Sequence, residues 1–121
     1  MRKNINNLLD SLSKAKFRGS FYLNQNMKHY VMEKGIDIIE EHAYKFVTER
    51  LKDKNPKNDG KQTPMKQVHP VFIAAHATGC CCRSCLLKIH KIQKEKELTE
   101  EEISYVVEVL ITWIQRQMNK K

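Results

Sequence analysis

The sequence predicts an all-α protein: a single compact domain of five or six helices with a long mid-chain loop and a Cys/His cluster. Two observations carry this. Apolar residues recur at three- and four-residue spacing in several separate windows, as they do on helices that bury one face, and no segment sustains the two-residue alternation of a half-buried strand. Length and composition add a bound. A chain of 121 residues makes one ordinary domain, and a 40% hydrophobic content with only three Pro and four Gly supplies a packed interior.

The elements follow in order. Ile5, Leu8, Leu9 and Leu12 form one apolar stripe on a first helix ending near Ala15, the core of a basic N-terminal helix and arm over 1–20. Phe17, Phe21, Tyr22 and Leu23 interrupt that pattern. Asn24 is placed to cap a short helix through Glu33, and Gly35 is a natural stop. Beyond it, Ile36, Ile39, Ala43, Phe46, Val47 and Leu51 share a face. Residues 52–68, with Asp53-Lys54-Asn55-Pro56-Lys57-Asn58-Asp59-Gly60 at their centre, are turn formers and predict a loop. A Cys/His motif occupies 69–90. Thr99 with Glu102 forms a capping box, and Ile103, Val106, Val107, Leu110, Ile111 and Ile114 continue at helical spacing, giving a C-terminal helix over 99–118. Trp113, Tyr105 and Phe46 lie on these stripes and are expected in the core rather than as base-stacking platforms.

No apolar stretch approaches the roughly 20 residues that cross a bilayer, so a membrane-spanning protein is not expected. The start, Met1-Arg2-Lys3-Asn4-Ile5, lacks an apolar signal core, and four cysteines crowded between 80 and 85 do not resemble a disulfide framework; a reducing cytoplasm is the expected location. The net charge is +8. Basic residues exceed acidic ones by five to one over 1–20, five to two over 52–68 and five to two over 69–98, whereas the other segments are near balance. Such an excess suits nucleic-acid contact through phosphates, and equally a solvated surface. Arg83 and Lys88, expected to project from a helix whose N-terminus attracts phosphate, and Lys61 in the loop are the candidate contacts. For Asp59-Gly60-Lys61-Gln62-Thr63-Pro64 a structural turn is the favoured reading over an anion grip.

The stretch from Val68 to His90 carries the chemistry. Thiolate and imidazole are the preferred zinc ligands, and Cys82-x-x-Cys85 lets two sulfurs grip one ion from the start of a helix. If that helix runs to His90, the histidine lies about 12 Å from Cys82 along the axis and cannot reach the same ion. His69 and His76, about 10 Å apart on a helix opened by Pro70, cannot share one either. His76 is the better candidate, because Thr78-Gly79 can turn the chain and return its ring over Cys82 and Cys85. Cys81, Cys80, His42, Asp59 or water remain open as the fourth ligand. The competing reading makes these residues reduced core thiols and a hydrogen-bonded interior histidine. Adjacent cysteines cannot all face one iron–sulfur cluster, and the strand that precedes a thioredoxin-type dithiol is missing. Zinc deaminases need a Glu where Thr78 stands, and the His-Glu-x-x-His, Walker A, dinucleotide and serine-elbow motifs are absent.

Asn58-Asp59-Gly60-Lys61-Gln62-Thr63-Pro64, His69-Pro70-Val71-Phe72, His76-Ala77-Thr78, Cys81-Cys82-Arg83-x-Cys85-Leu86-x-Lys88-x-His90 and Leu98-Thr99-x-x-Glu102-x-x-Tyr105-Val106-Val107 with Trp113-Ile114 together resemble the small bacterial and phage proteins grouped as domain-of-unknown-function family 4186. The resemblance covers nearly the whole chain. It implies that the polar and cysteine blocks belong together, and it supplies no activity. The family pattern carries Trp at Ile89, Gly at Ser84 and Thr at Cys80, which makes Cys80 a local variant and favours Cys81, Cys82 and Cys85 as the functional cysteines.

The expected function is therefore a small zinc-binding helical module, with His76, Cys81, Cys82 and Cys85 as candidate ligands, associated with nucleic acid or regulation. A metal-dependent enzyme such as a nucleic-acid hydrolase, with water in an open coordination position, is the first alternative. A metal-free phage or host protein-interaction factor is the second.

Overall fold

The computed structural model describes residues 5–52 and 69–119, and within them six α-helices and no strand. The expected loop thus lies outside the described residues except for Lys52, as do Lys61 and Asp59.

Helix α1 (Ile5–Ser13) buries Ile5 and Leu9. It ends two residues short of the expected Ala15, where the amides of Lys14 and Ala15 turn back to the carbonyls of Ser11 and Leu12. A single 3-10 turn follows at Arg18–Ser20. Helix α2 (Gln25–Lys34) starts as the sequence predicts, with the Asn24 side chain accepting from the Met27 amide, and stops at Gly35, whose φ of 87° suits glycine. Helix α3 (Ile36–Phe46) turns Ile39, Ala43 and Phe46 inward. Its apolar face runs on through Val47 and Leu51 as predicted, but in a π turn (Val47–Leu51) where the Lys52 amide reaches back five residues to the Val47 carbonyl at 2.8 Å.

Helix α4 (Pro70–Thr78) begins with Pro at its first position, where a missing N–H costs nothing, and is capped by the His69 ring. Eight of its nine residues are buried, so it has no polar face and sits in the middle of the molecule. Gly79 closes it in the left-handed conformation, φ 74°. Helix α5 (Arg83–His90) then starts from Cys82, with its axis bent 48° from α4. Helix α6 (Glu100–Met118) opens with the predicted capping box: Thr99 Oγ1 accepts from the Glu102 amide while Glu102 accepts from the Thr99 amide. It packs chiefly on α4 and α3, and Arg116 ties it to Asp10 and Asn6 of α1. Val106, Leu110 and Ile114 are wholly buried along its inner stripe. Each such aliphatic side chain contributes about 1.5–3 kcal/mol of burial free energy. Trp113 and Phe46 are in the core, as expected. No described helix is by itself long and apolar enough to cross a membrane.

This architecture places the site. Because α4 is buried all round, the chain leaving it at Gly79 emits four near-consecutive cysteines from the interior, and the tight turn into α5 folds three of them, Cys81, Cys82 and Cys85, on one another.

Candidate metal centre

Cys82 occupies the N-cap of α5 in extended conformation, and its Sγ accepts from the Cys85 amide at 3.4 Å. That local geometry is what Cys-x-x-Cys at a helix start dictates: the cap residue and the third helical residue face each other across the first turn. Cys81 adds a third sulfur, 3.5 Å from Cys85 Sγ. The ligand atoms of Cys81, Cys82 and Cys85 all lie within 4.8 Å of one another. Zinc bound tetrahedrally at about 2.3 Å from each thiolate spaces its sulfurs by about 3.8 Å, so this separation suits one ion. Cys81 and Cys82 are 7% and 9% exposed, and Cys85 is half-buried at the outer edge.

His76 does not join them. Among the described residues no fourth His, Cys, Asp or Glu atom completes the cluster within the same spacing. The predicted turn at Thr78-Gly79 exists, yet the imidazole lies flat against Phe21, with ring centroids 5.7 Å apart and an interplanar angle of 15°. The site uses the backbone of His76 instead: its carbonyl accepts from one Nη of Arg18, whose other Nη donates to Cys85 Sγ at 3.3 Å. Arg18 was invisible as a site residue in the sequence, because it stands 67 positions before Cys85 in a basic arm of similar residues.

The electrostatics follow from these contacts. Hydrogen bonds from Cys81 and Cys82 hold the Cys85 thiol far below the ordinary thiol range; burial opposes this, and the Arg18 guanidinium adds to the lowering. Cys81 is driven upward by the same sulfur contacts, first to Cys82 and then to Cys85, and by burial. The three thiols thus titrate together rather than singly. An ion held by them would displace protons from the cluster.

Cys80 stands apart. It is wholly buried, which pushes its thiol up to about 12, and its sulfur lies 3.4 Å from His90 Nε2. His90, too far along α5 to face the three sulfurs, donates from Nε2 to the Thr78 carbonyl at 2.7 Å and accepts at Nδ1 from the Tyr105 hydroxyl at 2.9 Å. It pins the ends of α4 and α5 to α6. His42 is likewise engaged elsewhere, its Nδ1 3.0 Å from His69 Nε2. His69 Nδ1 accepts from the Val71 amide, so a neutral His69 carries its proton on Nε2 and donates it to His42.

Arg83 requires a correction. Expected on an exposed phosphate-binding face, it is 1% exposed, and its guanidinium donates to the carbonyls of Leu51 at 3.0 Å, Lys52 at 3.4 Å, Gln93 at 2.7 Å and Lys96 at 2.8 Å. The π turn and the segment after α5 present carbonyls inward, and the planar five-donor fork satisfies them together. Lys88 is exposed on α5, as expected.

No solved structure matches the chain. Residues 6–115, spanning all six helices up to the last turn of α6, match the family described as domain of unknown function (DUF4186), and the chain belongs to that family.

Proposed function

We propose that this protein is a small helical zinc-binding module whose ion is held by the thiolates of Cys81, Cys82 and Cys85. The convergence of three sulfurs at the start of α5 carries the reading. Thiolates favour zinc and other soft or borderline ions over magnesium or calcium, and zinc takes such a set without redox chemistry. The positive end of the α5 dipole and the Arg18 guanidinium both stabilise the deprotonated sulfurs that binding needs. The test is native mass spectrometry of the full chain purified under reducing conditions without added metal. A mass increment of about one zinc per chain supports the reading. Metal-free protein that also fails to take up added zinc refutes it.

A second reading, contact with nucleic-acid phosphates, rests on the +8 charge and on exposed Lys88, with Lys61 lying outside the described residues; Arg83, buried, does not belong to it.

A further inference from the structure

Arg18 reaches the cysteines from the N-terminal segment, and its surroundings hold it there. The turn carrying it passes so close to the end of α1 that a Cβ on Gly19 would stand 2.2 Å from the Ser13 carbonyl oxygen, so glycine is required beside the arginine. Phe17 and Phe21 meet edge to face at 5.2 Å on either side of the turn, and Phe21 lies on the His76 ring. The guanidinium, itself 5.6 Å from the Phe17 ring centre, spends one Nη on the His76 carbonyl and the other on Cys85 Sγ. Its planar fork is thereby fixed in direction as well as in place.

Charge arithmetic gives this arrangement a purpose. Three thiolates around a divalent ion leave one negative charge, and uncompensated charge in a largely buried cluster is costly. The guanidinium brings the total to zero, and its N–H bond to Cys85 Sγ draws electron density from that sulfur. Partners of this kind, one bond beyond the ligands, typically set metal affinity.

We propose that Arg18 is a positioning residue of the metal centre, neutralising the three-thiolate ion and orienting Cys85 toward it; the proposal rests on the reading of Cys81, Cys82 and Cys85 as ligands. The experiment compares the full chain with Arg18→Gln and Arg18→Lys. Zinc affinity is measured by competition with a chromophoric chelator, and the cobalt-substituted proteins are compared by their sulfur-to-cobalt charge-transfer band. Arg18→Gln is expected to weaken zinc binding about tenfold or more. It should also move the band to lower energy, since a sulfur relieved of its hydrogen bond is a stronger donor. Arg18→Lys, which keeps the charge, should recover most of the affinity. A residue that merely braced the fold would not move the band. If Arg18→Gln does not fold, Arg18→Met, which keeps an apolar stem beside Phe17, is subjected to the same two measurements. Wild-type affinity with an unmoved band overturns the proposal and leaves the three-sulfur site standing. Wild-type protein that takes up no zinc overturns the underlying reading and this proposal with it.

Discussion

Cys80 and Cys81 are neighbours in the chain with different fates. Cys80 is sealed in the core against His90, whereas Cys81 turns toward Cys85. Replacement by serine should therefore separate Cys80 from the clustered cysteines. Cys82→Ser and Cys85→Ser each remove a ligand whose binding energy is also folding energy, and are expected to lower the melting temperature of zinc-loaded protein by well over 10 °C, at about 4 °C per kcal/mol. Cys80→Ser should cost only a few degrees. Equal shifts for all three, followed by circular dichroism, would contradict the ligand assignment. The Cys-x-x-Cys pair was readable because its spacing alone fixes two sulfurs on one helical turn. The place of His76 was not, because Phe21, 55 residues upstream, covers its ring. Arg18 was hidden for the same reason: what makes it special is a contact across the fold, and no local pattern records that.

At the scale of elements, local signals succeeded wherever one residue decides a helix end. Asn24, Gly35, Pro70, Gly79 and Thr99 begin or end helices at their predicted places. Two features escaped. The π turn after Phe46 preserves the inward face of α3, so periodicity cannot distinguish it from continued α-helix. Arg83 sits in a short helix where an arginine ordinarily faces water, and only the inward carbonyls of two distant segments draw it inside. Arg83→Ala is expected to leave those carbonyls unsatisfied and to destabilise the protein by about 3 kcal/mol or more in urea unfolding. A change under about 0.5 kcal/mol, the ordinary range for a surface site, would contradict the staple.

The cap of α4 makes a separate prediction about pH. Burial, with the facing His42 adding to it, lowers the folded-state value of His69 to about 4, well below the ordinary 6.5, so the folded protein holds it neutral. The unfolded chain binds a proton there more readily, and the stabilisation, complete above pH 6.5, is lost as pH falls toward 4. His90, lowered mainly by burial, contributes in the same direction. Asn can cap a helix without titrating, so His69→Asn should flatten the stability profile between pH 7 and 4 while keeping α4. An unchanged slope in urea titrations across that range would show that His69 is not the group responsible.

For the whole molecule, helix period and capping specify a helical architecture, and the all-round apolar character of α4 makes it central. The functional surface was less legible, because a net charge of +8 is a sum and does not say which cations remain outside. Removing Arg83 from the candidate contacts leaves Lys88 on the described surface. If phosphate contact is a function of this protein, Lys88→Ala weakens binding to unrelated oligonucleotides by similar factors, and affinity falls steeply with salt. Fluorescence anisotropy at two salt concentrations measures both, and no binding at low salt would leave the charge as a solvated surface.

If three sulfurs of one turn hold one metal ion, X-ray absorption at the zinc edge of the reduced, zinc-loaded protein shows three sulfur neighbours at about 2.3 Å, falling to two in Cys85→Ser. A first shell of nitrogen and oxygen alone, or a sulfur count unchanged by Cys85→Ser, would contradict it.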